Sequence, residues 1–348
     1  MNIAIYSPIS ESFDRQSIMA KTPFLLAEQH SEHRFIIISD QKPSEQFSFY
    51  SNIETILVKT PSRNSLLKRI WWDIKLPAIL KKAKADLFIS FDNACSLTIP
   101  QLIMIKNLEK TRKVHIKKAQ LIVPNKLMKK ALIEKFKIKE ERIVVIYPSA
   151  YKMCKPINEN EKESIKNKYS EGKEFFLLNS VFPGQKDFIN LLKSFSHFKK
   201  RQQSNFKLLV IASSNSFFEK NLENYKYRND VRFIDIKDKA EEALIIASAY
   251  AVVLPFNTNE DMTAALNATR SGVPVIAVKN SIINEVFGDA VLYSETDATK
   301  DIGEKMMQVY TDENYRAGLI EKGKQVAIIY TSEKAAEQIW QSIIKALE

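Results

Sequence analysis

Short apolar runs alternate along this chain with longer stretches of helical period, and that alternation predicts parallel β-α units. In the first half, Ile3–Tyr6, Phe35–Ser39, Thr55–Val58, Asp86–Ser90, Leu102–Ile105, Leu121–Pro124 and Ile143–Tyr147 read as strands. Helical patterns fit Ser17–Gln29, Ser65–Lys84 and Asn125–Phe136, the last with Leu127, Leu132, Ile133 and Phe136 near core spacing. The second half restarts the alternation. Strands fit Phe175–Asn179, Lys207–Ile211, Val231–Ile234, Ala251–Leu254, Val273–Val278 and Ala290–Tyr293. Helices fit Lys186–Lys200, Lys239–Ser248, Asp261–Ser271, Ala298–Tyr310, Glu313–Ile329 and Glu333–Leu347. The final helix gathers Ile339, Trp340, Ile343, Ile344 and Leu347 on one side and must bury that stripe.

Tyr147-Pro148-Ser149, followed by the polar run Lys155–Ser164, reads as a domain boundary. The expected fold class is α/β, with two Rossmann-like doubly wound parallel-sheet domains facing a central cleft. The expected domains are 1–150 and 151–332, with a C-terminal helix at 333–348 packing back on the first. A cleft between two such domains is a favoured ligand site.

Composition narrows the chemistry. All seven glycines lie at 172 or beyond. The first domain therefore has neither a G-x-G-x-x-G dinucleotide loop nor a Walker loop, because both need glycine for close backbone approach to phosphate. Cys95 and Cys154 form no disulfide framework, and His30, His33, His115 and His197 form no ligand cluster, so no metal site is expected. No apolar run reaches the ~18–20 residues of a membrane span. The N-terminus runs straight into a strand without a signal-peptide pattern, which predicts a cytoplasmic protein.

The chain carries a net charge of +11. Between Lys106 and Arg142 there are 13 Lys or Arg against 4 Glu. That window reads either as a solvated helix face or as a peripheral contact with the inner face of an anionic membrane. Nucleic acid is not expected, because no aromatic interleaving or nucleic-acid motif accompanies the charge.

The segment from Ala247 to Tyr293 is the most informative. A strand ends at Pro255, a polar loop follows, and a helical stretch runs to Gly272 before the next strand. An open α/β sheet presents a ligand loop in this position, past a strand's carboxyl end and leading into a helix N-terminus. The wording resembles the donor-site segment of the retaining nucleotide-sugar glycosyltransferases of GT-B fold (family four, or glycosyl transferases group 1). That pattern runs A-D-x-x-x-x-P-S-x-x-E-G-F-G-x-P-x-x-E-A-M-A-x-G-x-P-V-I-A. It aligns without gaps from Pro255 to Ala277 and puts Asn259 and Asn267 where the family has glutamates. Trp71–Phe91, Ala119–Pro148 and Phe175–Lys200 also resemble family segments, in the family's order.

The resemblance implies a fold, a ligand class and roles. A nucleotide-diphosphate sugar would serve as donor substrate, with no separate cofactor and no metal. The family's Arg and Lys, six residues apart, clamp the leaving diphosphate; Ser180 and Lys186 occupy those places. Fixed cations stabilise charge that grows on a leaving group, and serine in place of arginine removes a bidentate contact. Asn259 would contact the sugar, with Glu260 one residue away as the other candidate, and Asn267 would contact the ribose. An asparagine donates and accepts, without a carboxylate's charge. Ile236 or Lys237 would meet the nucleotide base through the main chain. The family's His-Asp pair falls on Lys106-Asn107, and its Gly-Gly turn on the glycine-free Ser7–Ser12.

The expected function is retaining transfer of a sugar to a glycan, lipid-linked or small-molecule acceptor. The alternative is a catalytically silent glycosyltransferase-like subunit that binds a glycan, a partner glycosyltransferase or a membrane surface.

Overall fold

In a computed structural model of the chain, the described residues are all except 7–17, 41–49, 60–64, 92, 106–107, 109–115, 117, 180–183, 203, 213–215, 256–260 and 296–298. The chain divides into two compact units, Met1–Pro148 with Ser332–Glu348, and Ser149–Thr331.

The first unit runs β1 (Asn2–Tyr6), α1 (Ile18–Gln29), β2 (Arg34–Ser39), β3 (Ile53–Leu57), α2 (Ser65–Ile70), a π turn (Trp71–Lys75), α3 (Leu76–Lys82), β4 (Leu87–Phe91), β5 (Gln101–Met104), β6 (Gln120–Val123), α4 (Lys126–Phe136) and β7 (Ile143–Val145). Its sheet has the order β3-β2-β1-β4-β5-β6-β7, all parallel. Strand residues alternate between two cores, as the period of two demands. Ile3, Ile5, Ile37 and Ile89 face one way, toward Leu26 of α1. Ala4, Ile36, Ile38 and Phe88 face the other way, toward Trp71, Trp72, Leu76 and Leu80.

The second unit runs α5 (Glu159–Ser170), β8 (Phe175–Leu178), α6 (Gln185–Gln202), β9 (Lys207–Ile211), α7 (Ser216–Glu223), β10 (Val231–Ile234), α8 (Lys239–Ser248), β11 (Ala251–Leu254), α9 (Asp261–Arg270), β12 (Val275–Val278), α10 (Ser281–Phe287), β13 (Leu292–Ser294), α11 (Thr299–Thr311) and α12 (Glu313–Ile329). The order β10-β9-β8-β11-β12-β13 is again all parallel, the doubly wound arrangement. An aromatic core seals one face: Phe176 meets Phe198 edge-on at 5.0 Å between ring centroids, and Phe198 meets Phe206 at 5.5 Å. Gly303 lets α11 lie against α6, since a Cβ there would sit 2.7 Å from the Ser194 carbonyl oxygen.

The last helix, α13 (Ser332–Leu347), belongs to the first unit. Its Ala335, Ile339 and Ile343 complete the core built by Ile3, Ile5, Leu26 and Ile37. His30 at the end of α1 stacks on Trp340 with 3.5 Å between ring centroids, and His33 stacks at 5.1 Å. Burial holds the His30 pKa below its ordinary value of 6.5, against the opposing pull of Glu32. A histidine with a lowered folded-state pKa is protonated first in the unfolded chain, so its contribution is full above pH ~6.5 and falls away as the pH drops through that range. The first unit should therefore melt at lower temperature at pH 5.5 than at pH 7.5, and His30→Asn should reduce the difference. All three tryptophans, Trp71, Trp72 and Trp340, lie in this unit, so tryptophan fluorescence reports it alone.

The units part at Pro148 and Ser149, and the polar run Lys155–Ser164 beyond that break leads into α5: Asn158 caps the helix by accepting from the Glu161 N–H at 2.9 Å, and Glu161 accepts from the Asn158 N–H at 3.1 Å. This reciprocal capping box nucleates a helix with few apolar residues. Leu127 is not core but 52% exposed, because only Leu132 and Phe136 of α4 are fully turned to the sheet.

Candidate functional site

In the second unit, strand order reverses between β8 and β11, which are hydrogen-bonded neighbours. From there β9 and β10 extend to one side, and β12 and β13 to the other. A crevice opens at the carboxyl ends of strands where connections leave in opposite directions. Two helices begin beyond those ends, α6 after β8 and α9 after β11. Their N-termini bring partial positive charge to one edge of the sheet, a setting that suits an anion.

Lys186 stands in the first turn of α6 and is exposed. Its ammonium and the helix terminus are both electropositive, so the first turn of α6 is a point of attraction for phosphate. Ile236 is half-buried in the segment between β10 and α8, at the same carboxyl edge. Ser180, Asn259, Glu260 and Asn107 lie outside the described residues.

Asn267 is in the interior of α9, not at its start, and is 2% exposed. Its Oδ1 accepts the Tyr151 N–H at 2.8 Å. One turn further, the Arg270 guanidinium donates through Nε to the Cys154 carbonyl at 3.0 Å. Positions three apart share a helix face, so α9 grips the segment 151–154 with two side chains. Asn267→Leu strands the buried Tyr151 N–H and should destabilise the second unit by about 1–3 kcal/mol. Chemical denaturation with a probe in that unit checks the value, and Asn267→Asp, which keeps the acceptor, should lose less.

A second cluster escaped the sequence reading. Asn179, the residue after β8, donates from Nδ2 to Glu242 Oε1 at 3.1 Å. Lys239 donates to the other carboxylate oxygen, Oε2, at 2.7 Å. Glu242 is 6% exposed and lies in the first turn of α8, whose N-cap Asp238 accepts from the Ala240 N–H. A buried carboxylate needs such partners, since an unpaired one carries a heavy desolvation cost. The cluster ties the start of α8 to the exit of β8 and fixes the backbone immediately before position 180. In sequence, Lys239 and Glu242 read as an ordinary helix-start pair; only the fold brings Asn179 to them.

Among the described residues, no group of three or more His, Cys, Asp or Glu side chains could hold a metal ion. No helix among them is long and apolar enough to cross a membrane.

Residues 159–326 match the family described as glycosyl transferases group 1. Solved structures resemble the whole chain. A glycosyltransferase from Rickettsia africae ESF-5 superposes with a TM-score of 0.80 at 15% identity, over 99% of this chain and 98% of that one. WaaG, a glycosyltransferase involved in lipopolysaccharide biosynthesis, gives 0.71 at 16% identity, over 97% and 99%. Anabaena Alr3699/HepE, in complex with UDP and glucose, gives 0.70 at 11% identity, over 99% and 100%. No curated protein sequence matches the chain at a significant level. Two all-parallel Rossmann-like units with these likenesses define the GT-B glycosyltransferase fold. The family likeness lies within the second unit, over residues 159–326.

Proposed function

We propose that the second unit binds a nucleotide-diphosphate sugar at its β8/β11 switch point and that the chain transfers the sugar, with retention, to a glycan, lipid-linked or small-molecule acceptor. The observation that carries this reading is exposed Lys186 in the first turn of α6, beside the carboxyl end of β8. Lys186 and the α6 N-terminus would hold the diphosphate. The Asn267 amide nitrogen would donate to a ribose hydroxyl, while the main chain at Ile236 or Lys237 would meet the base. Asn259 or Glu260 would contact the sugar, and Ser180 would face the phosphates. Asn107 would lie on the acceptor side.

In the reaction, the bond from the anomeric carbon to the diphosphate oxygen breaks, and its electron pair leaves with the diphosphate. The acceptor oxygen bonds to the same face of that carbon, and its proton passes to the departing phosphate oxygen. Lys186 would stabilise the charge that grows on the leaving group, the interaction that counts most in such a step.

A second reading, a catalytically silent subunit that binds a glycan or a partner glycosyltransferase, is favoured by the commitment of Asn267 Oδ1 to Tyr151, which leaves only its amide for a ligand. Calorimetric titration with UDP, GDP, ADP and dTDP separates the two. Micromolar binding of one nucleotide, followed by release of that nucleotide from its sugar conjugate when acceptor is added, supports transfer. Binding of none supports the silent subunit.

A further inference from the structure

The second unit has a cavity at the opposite end of its strands from the β8/β11 switch point. It lies where β9 and β10 begin, beside the last turn of α5, and measures about 210 Å³. Leu209 and Val231 line it with apolar surface, and Tyr169 and Ser170 reach it from α5. Lys207, Arg228 and Arg232 bring three cationic side chains to the same space.

The three cations are not equally free. Lys207 is committed: its Nζ lies 3.1 Å from Glu171 Oε2 and 3.5 Å from Asp230 Oδ1, and it donates to the Asn229 carbonyl at 2.9 Å. The arginines have no such match. Arg228 Nη1 donates to the carbonyl of Glu223, the last residue of α7, at 3.2 Å. Arg232 Nη1 donates to the Lys168 and Tyr169 carbonyls in the last turn of α5, each at 3.2 Å. These bonds answer carbonyls that a helix end leaves open, and they hold each guanidinium in place. They use one nitrogen of each fork. Arg232 is also braced against the Tyr169 ring, 5.9 Å from its centroid. Among the described residues neither guanidinium meets a carboxylate at ion-pair distance.

The positive surplus therefore rests on the two arginines, since Glu171 and Asp230 are both engaged with the lysine. A guanidinium fork fits an oxyanion in bidentate fashion and keeps its charge at any working pH. An anion with several oxygens can meet two forks at once. Size sets the other limit, because drug-sized ligands occupy sites of ~300–1,000 Å³. A single phosphate group, alone or on a short carbon chain, suits this smaller space.

We propose that this cavity binds a phosphate group, as the free ion or as a small phosphate ester, with Arg228 and Arg232 as its ligands. The site stands on residues at the amino-terminal edge of β9 and β10 and does not depend on the nucleotide reading of the carboxyl edge.

Calorimetric titration of the full-length protein with inorganic phosphate and with glycerol phosphate, at constant ionic strength, tests it. The Lys186→Ala protein is titrated beside the wild type to separate any binding at the start of α6. The expected result is one saturable site per chain in both proteins. Arg228→Gln should weaken it roughly tenfold, the effect of losing one charge-assisted contact. Arg228 is exposed, so an unchanged melting temperature confirms that this variant folds. Glu171→Gln removes the nearest like charge and should tighten binding. Equal affinity for the two probes supports a site for the free ion, and tighter binding of glycerol phosphate supports one for an ester. Absence of saturable binding with either probe would overturn the proposal. Binding that Arg228→Gln leaves unchanged, or that Lys186→Ala abolishes, would overturn it too, because the anion would then sit elsewhere.

Discussion

Replacing Ile339 and Ile343 together by alanine should unfold the first unit and leave the second intact. Both side chains are fully buried. They stand on a helix contributed by the distant segment Ser332–Glu348, yet they pack against β1 and β2, on Ile3, Ile5, Phe35 and Ile37. Each Ile→Ala change in a core costs about 2–5 kcal/mol through lost transfer energy and the cavity left behind. Two such changes approach the ~5–15 kcal/mol that holds a whole domain together. Loss of the cooperative tryptophan fluorescence transition, which reports the first unit alone, is the expected signal. A retained calorimetric transition from the second unit shows that the damage is local. Ile344→Ala, at a half-buried position on the same helix, should do much less.

The second large effect concerns the proposed diphosphate site. Lys186→Ala should reduce nucleotide-diphosphate affinity by roughly ten- to a hundredfold, the range expected for losing a charge-assisted contact of about 1.5–3 kcal/mol. Because Lys186 is exposed and has no ion-pair partner among the described residues, the melting temperature should hold steady, in keeping with ordinary surface substitutions. Lys193→Ala, exposed two turns along the same helix, is the matched control and should leave affinity unchanged. Lys186→Arg keeps the charge and should recover most of the binding. Equal effects from Lys186→Ala and Lys193→Ala would mean that the helix start is not where the nucleotide sits.

Much of the fold was legible because buried parallel strands are unbroken apolar runs. Lys207–Ile211, Val231–Ile234 and Ala251–Leu254 were read to the residue for that reason. Helices α7 and α10 were not read, since seven or eight residues give too little period to see. Helix α5 was missed for a different reason: its stability starts from a cap and not from an apolar stripe. The candidate site is named in the sequence as a place, and its loop at 256–260 lies outside the described residues. Pro255, Gly272 and the intervening pattern pointed to a ligand loop beyond β11. Nothing in the sequence could tell that Asn267 would spend its carbonyl on Tyr151, more than a hundred residues earlier, or that Asn179 would find Glu242. Such pairings depend on how strands order themselves in the sheet, which a local pattern does not encode.

The place of α13 also sets an order of events during synthesis. The second unit is one continuous stretch, Ser149–Thr331, and has all its parts once that stretch has left the ribosome. The first unit is translated earlier but stays incomplete until Ser332–Glu348 emerges. Until then, Ile3, Ile5, Ile37 and Ile89 lack the helix that covers them, and an uncovered apolar sheet face is prone to wrong association. The unit translated earlier is therefore the one that finishes folding last, and a premature stop between Ser332 and Glu348 would leave a folded second unit joined to a sticky, unfinished one.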